Sequence, residues 1–311
     1  MKLITSRFPI LLFVCVSLAT LNLSVLEGES HCPGNIASVT PRLVAQALIV
    51  IPVRVNQQGP FDFMVDTGSQ VTVVDPSLAV ELSLQSRGTV GLVSAASYAK
   101  ASISSLDSLE AGFQTVEHPL AIVQDLGPIQ AADPRIRGVL GEDFLAHFDM
   151  FIDYGHKMLC LDTSSAMRDK IRGERISFVR QEHTEGGLRF AQRLVIAVHL
   201  SGAGSKQVLL QLDSGSDGPI LYQTHGENRL ALLDHATPRS GALSAAQRAF
   251  SDLPLQDLHL GARTVSQVPF VTPVSAEYDV PSRNEDGLLP TVLFQRVFIC
   301  GAGRYVILDP H

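Results

Sequence analysis

The chain repeats itself once at a fixed offset, so it must fold as two similar halves. Asp66-Thr67-Gly68-Ser69 returns as Asp213-Ser214-Gly215-Ser216, and 213 − 66 = 147. FIDYGHKMLCLD (151–162) returns as FICGAGRYVILD (298–309), and 298 − 151 is again 147. Between these landmarks RGVLGEDFLAHF (137–148) pairs with DGLLPTVLFQRV (286–297) once a two-residue gap is allowed. Three landmarks in one order mark a tandem duplication. A length of 311 residues agrees with two lobes. Their bounds are set at 31–165 and 190–311, with a polar linker at 166–189 that contains the mixed-charge stretch RDKIRGER (168–175).

The body of each half reads as strand. ALIVIPVRV (47–55), FDFMVDTG (61–68), VTVVD (71–75) and RLVIAVHL (193–200) are short apolar or alternating runs broken by Gly, Pro, Asn and Ser. Helical spacing is confined to PSLAVEL (76–82), EDFLAHF (142–148) and ALSAAQRAF (242–250). The expected fold is all-β: two pseudo-symmetric lobes of six or seven strands, each a small barrel-like sandwich, with a cleft between them.

The duplicated triplet carries the chemistry. Each Asp follows an apolar strand, FMV before Asp66 and LLQL before Asp213, and each is followed by a hydroxyl residue and glycine. That context puts a carboxylate on a turn leaving a packed sheet. Gly68 and Gly215 let backbone N–H groups come close to it. Two such loops meeting across a two-fold axis place two carboxyls together. They cannot both ionise, so they share one proton and act jointly as base and acid on a bound water. The bland alternative is an Asp that caps a turn; the duplicated context weighs against it.

VDTGSQVTVV (65–74), RGVLGEDFL (137–145), LDSGSDGPIL (212–221) and DGLLPTVLF (286–294) resemble the retropepsin/pepsin aspartic peptidase superfamily, and most of all its bacterial, exported, two-lobed members. The resemblance implies that Asp66 and Asp213 are the catalytic pair of an endopeptidase. It implies that Thr67 and Ser214 cross-link the two loops, and that Ser69 and Ser216 donate hydrogen bonds to the outer carboxylate oxygens. Val139, Leu140 and Gly141, with Leu288 and Leu289, would pack behind the loops. Tyr98, in the stretch where the family carries its flap, is either a flap residue or a surface hairpin tyrosine. Two departures stand out: Ser214 where Thr is commoner, and Pro290 where the first half has Gly141. The alternative function is a catalytically silent, exported peptide-binding module on the same fold, which retention of both Asp residues disfavours.

Composition bears on partners and address. A net charge of −7 with no basic block argues against nucleic acid. Lys2 and Arg7 precede an apolar run at 9–26, the pattern of a signal peptide over residues 1–30, with an uncleaved membrane anchor as the alternative. Export to the periplasm or the medium follows as the expectation, with membrane contact only through that segment. The substrate is expected to be an extended polypeptide, and one chain suffices to build the site, so a monomer is expected. Of Cys32, Cys160 and Cys300, Cys160 in the apolar MLCL reads as a buried free thiol, while a disulfide through Cys32 or Cys300 stays open. No Cys/His spacing resembles a zinc site, and no metal or cofactor is expected.

Overall fold

The hairpin that delivers Asp66 shows how the sequence pattern becomes structure. Leu48–Val55 turns its side chains alternately to core and solvent along its second half. Gln58–Val65 starts exposed and ends buried, so the chain reaches Asp66 from inside the core. Asn56 and Gln57 connect the two strands with φ of 51° and 62°, the left-handed pair that a two-residue hairpin turn requires. The second half builds the matching hairpin from Val195–Leu200 and Val208–Asp213.

A computed structural model describes residues 31–93, 98–179, 184–185, 188–189, 192–222, 230–239, 249–274 and 284–310. The leader (1–30) lies outside the described residues, as does nearly all of the helix expected at 242–250. In the first lobe the strands lie in the order Ser86–Val93, Tyr98–Ser105, Leu120–Val123, Thr72–Val74, Ile136–Leu140, Gln58–Val65, Leu48–Val55, Ser108–Ala111, Gln114–Glu117. The second lobe gives Thr237–Pro238, Phe250–Asp252, Val271–Pro273, Ile220–Leu221, Gly287–Pro290, Val208–Asp213, Val195–Leu200, Gln256–Leu260, Arg263–Val268. The two orders correspond strand for strand. In both, the Asp-bearing strand runs parallel to the strand of the aliphatic pair. The fold is the expected all-β duplication. Nine strands stand in each order rather than six or seven, because several are only two or three residues long and too short to show alternation.

A third sheet joins the lobes. Its order is Ser38–Val39, Met158–Asp162, Asp149–Asp153, Arg296–Cys300, Tyr305–Leu308, Ile176–Ser177. Phe151 pairs with Phe298 at its centre. Since these residues are 147 apart, the pseudo-two-fold passes between them. One apolar cluster, including Ile51, Phe63, Leu140, Leu212, Leu289 and Val297, runs through both lobes and this base. The lobes therefore share a core.

Two expectations are corrected here. The linker at 166–189 is not simply polar: Met167 and Ile171 are buried in the base, Arg168 pairs with Asp149 at 2.6 Å, and Ile176–Ser177 forms the edge strand. Cys160 is not a free thiol but is bonded to Cys32. The cause is the N-terminal segment, which pairs Ser38 with Cys160 and so brings Cys32 alongside; two-residue strands leave no trace in sequence. Among the described residues Cys300 is the free cysteine, and it is buried. The short helix Pro76–Glu81 appears as expected, capped by the Asp75 carboxylate on the N–H groups of Ser77 and Leu78, while EDFLAHF yields helix only over Glu142–Leu145.

The disulfide spans 128 residues of sequence. Its reduction, or Cys32→Ser, is expected to lower unfolding stability by about 2–5 kcal/mol, read as a lower urea midpoint. Equal midpoints for oxidised and reduced protein would show that it contributes nothing.

Candidate active site

The loops that follow the two hairpins bring Asp66 and Asp213 together, and their carboxyl groups share a hydrogen bond. Gly68 N–H donates to Asp66 Oδ1 at 2.8 Å and Ser69 N–H at 3.2 Å. Gly215 N–H donates to Asp213 Oδ1 at 2.7 Å. The glycines do more than admit these bonds. A Cβ on Gly68 would lie 2.7 Å from Asp213 Cγ, and one on Gly215 would lie 2.4 Å from Asp66 Cγ. Each glycine clears the space that the opposite carboxyl occupies.

Thr67 and Ser214 lock the loops to one another. Thr67 N–H donates to Ser214 Oγ at 3.1 Å, and Ser214 N–H donates to Thr67 Oγ1 at 3.0 Å. Each hydroxyl then donates across the interface: Thr67 Oγ1 to Leu212 O at 3.0 Å, and Ser214 Oγ to Val65 O at 2.8 Å. All four bonds are buried. Ser214 performs the whole exchange without the methyl group that Thr would add. Gln211 Nε2 adds a bond to Gly68 O at 3.0 Å, and Arg193 reaches Glu285 at 2.7 Å and Gln70 at 3.4 Å. Residue type alone did not single out these last ties.

The hydroxyls of Ser69 and Ser216 are placed differently from the expectation. Ser69 Oγ donates to Val71 O and Ser216 Oγ to Gly218 O, both at 2.8 Å. Each closes a local turn with a carbonyl two residues on, while backbone N–H groups supply the carboxylates. Behind the loops, Asp66 N–H donates to Leu140 O at 3.0 Å, and Leu140 and Leu289 enter the main core. Val139 and Leu288 point to the other side of the same strands, into two smaller apolar clusters. Gly141 N–H donates to Thr72 Oγ1 at 3.2 Å. The second lobe has Pro219 at the place of Thr72, so Pro290, which lacks an N–H, forfeits no acceptor. Tyr98 opens the returning strand of a hairpin, Ser86–Val93 with Tyr98–Ser105, in register with Val93; the hairpin tip at 94–97 lies outside the described residues.

Burial dominates the electrostatics. It raises the Asp66 carboxyl, against the bonds from Asp213, Gly68 and Ser69 that lower it. It raises Asp213 well above the ordinary range, and the Asp66 charge pushes it further. The pair therefore retains one proton, shared between the two carboxyls. Glu142 is also raised well above its usual value, by burial first and then by Asp66 and Asp143. Asp143 is pushed up to about 6 by burial, although Thr72 donates to it through both N–H and hydroxyl at 2.8 Å. Glu142 escaped the sequence reading; its one signal is an acidic residue directly after the aliphatic block. Among the described residues no group of three or more His, Cys, Asp or Glu side chains is placed to hold a metal ion.

A family model described as "Aspartyl protease" matches residues 51–144, from the first hairpin to the start of the Glu142 helix. Over that stretch the chain is similar to the aspartyl protease family. The match supports a general aspartic protease function. No curated protein matches the chain significantly. Among solved structures it is similar to a retropepsin-like aspartic protease from Rickettsia conorii, at 21% identity and a TM-score of 0.29, over 40% of this chain and 87% of that one. At that score the likeness adds nothing to the assignment.

Two outcomes follow. Ser214→Ala removes the bond to Val65 O and leaves the buried Thr67 N–H without its acceptor. A loss of about 1–3 kcal/mol in urea denaturation is expected, with Ser214→Thr close to the parent; equal stability of the Ala variant would count against the lock. A buried carboxyl raised in the folded state keeps a proton that the unfolded chain releases above its ordinary value of about 4. Its contribution is thus complete below that pH and is lost as pH rises through the raised value. Glu142→Gln should match the parent at pH 4 and exceed it in stability at pH 8. Parallel pH slopes for the two proteins would contradict this.

Proposed function

We propose that this chain is an endopeptidase that hydrolyses peptide bonds with a water activated between Asp66 and Asp213. The observation that carries the reading is the hydrogen-bonded carboxyl pair, set by the duplicated loops at the pseudo-two-fold. The ionised carboxylate takes a proton from the water. The protonated one donates a hydrogen bond to the scissile carbonyl oxygen as the tetrahedral intermediate forms. Proton transfer to the departing amine then completes cleavage, and no acyl-enzyme is needed. The substrate is an extended polypeptide bound through main-chain hydrogen bonds, covered by the hairpin Ser86–Val93/Tyr98–Ser105.

Both carboxylates come from one chain, which supports action as a monomer. The Cys32–Cys160 disulfide supports an exported address, since such bonds persist in oxidising compartments. The net charge of −7 favours neither nucleic acid nor an anionic membrane surface as partner.

Purified protein is expected to cleave an unfolded polypeptide at acidic to near-neutral pH, with suppression by a statine-type inhibitor. The rate should fall as pH rises beyond the raised value of Asp213, because the shared proton is then lost. Asp66→Asn and Asp213→Asn should each reduce turnover by roughly 10²–10⁴-fold with circular dichroism unchanged. Turnover by either variant equal to that of the parent removes the mechanism. A folded parent that binds peptide without cleaving it would instead point to a silent binding module.

A further inference from the structure

The two halves part company beside the active-site loops. Tyr154, from the first half, packs its ring on the main core, and its hydroxyl lies 2.6 Å from Thr291 Oγ1 of the second lobe. The 147-residue offset maps Tyr154 onto Gly301. Across the aliphatic block the offset is 289 − 140 = 149, which maps Thr291 onto Glu142. The backbones agree: Tyr154 N–H donates to Gln295 O, and Gly301 sits against Phe148 O, the equivalent atom. One half thus holds a phenol ring on a hydroxyl, and the other has glycine facing a carboxyl.

Where that ring is missing, there is a cavity of about 230 Å³ lined by both Glu142 and Gly301. Its walls include Leu145, Phe148, Met150 and Leu194. This is larger than the ~150 Å³ apolar cavity that takes up benzene. Glu142 is only 3% exposed, and no group among the described residues hydrogen-bonds its carboxyl. Arg193, also on the wall, is committed to Glu285 at 2.7 Å. Gln192 and Arg304, the other polar groups on the wall, bond one another; a buried carboxyl without a hydrogen-bond partner is costly, and a largely apolar site that holds one suits an aromatic ring bearing a hydroxyl.

We propose that this cavity binds a phenol ring, seated as Tyr154 is seated in the other half, with its hydroxyl on the Glu142 carboxyl. The ligand is either a free 4-alkylphenol or the tyrosyl side chain of a peptide. The inference is independent of the proposed peptidase chemistry, and binding without turnover tests it separately.

The experiment titrates the purified protein with p-cresol by heteronuclear NMR. Saturable binding is expected, with intermolecular NOEs to the Leu145 methyl groups, and toluene should bind at least about tenfold more weakly for want of the hydroxyl. Gly301 has no left-handed φ, and a Cβ there would meet its nearest atom at 3.4 Å, so Gly301→Tyr can place a ring in the space. That variant is expected to lose p-cresol binding and to gain in Tm. N-acetyltyrosinamide separates the sources: binding like that of p-cresol indicates a tyrosyl side chain, and binding of p-cresol alone indicates a free phenol. Equal p-cresol affinity for parent and Gly301→Tyr, or NOEs elsewhere with none to Leu145, would overturn the proposal; the NOE result stands even if the variant fails to fold.

Discussion

Every feature of the site depends on the reciprocal hydrogen bonding of Thr67 and Ser214. Two backbone N–H groups and two hydroxyls, all buried, find acceptors only on the opposite loop. Leaving any of them unpaired is expensive in a buried region. The loops can therefore meet at only one separation, and that separation sets the distance between the carboxyls of Asp66 and Asp213. The glycines make the meeting sterically feasible, and the shared core beneath keeps the two hairpins from drifting apart.

The same constraint explains why the carboxyls are kept half-protonated. Packing the loops this tightly leaves both acids poorly solvated, and desolvation is the largest influence on each. Like charges in contact cannot both persist, so the proton that burial demands is the one the proposed acid catalysis would use. Glu142 and Asp143, in the helix just behind, experience the same burial, and Glu142 is also raised by the Asp66 charge. The protein thus gathers acidic groups whose ionisation is suppressed by the packing that makes the site rigid.

The duplication is faithful in topology and loose in detail. Strand order, parallel pairing and the Phe151–Phe298 contact all obey the two-fold. Thr72 and Gly141 in one half correspond to Pro219 and Pro290 in the other, a coupled change in which a donor and its acceptor vanish together. Tyr154 and Thr291 correspond to Gly301 and Glu142, and here the change leaves open space instead of filled space. Divergence of this kind gives a symmetric frame two unlike flanks.

By itself the sequence determined the duplication, the all-β character and the paired acids, which rest on local patterns or on repetition at a constant offset, and both survive in one dimension. The cross-link between Thr67 and Ser214 came only as what the family resemblance implied. Only the tertiary structure decided the Cys32–Cys160 bond, the burial of Met167 and Ile171, and the turn of the Ser69 and Ser216 hydroxyls away from the carboxylates. The cavity beside Glu142 belongs with them. Each is settled by which distant segments come to lie side by side, through strands of two residues or through a missing side chain. Neither leaves a periodic mark on the chain.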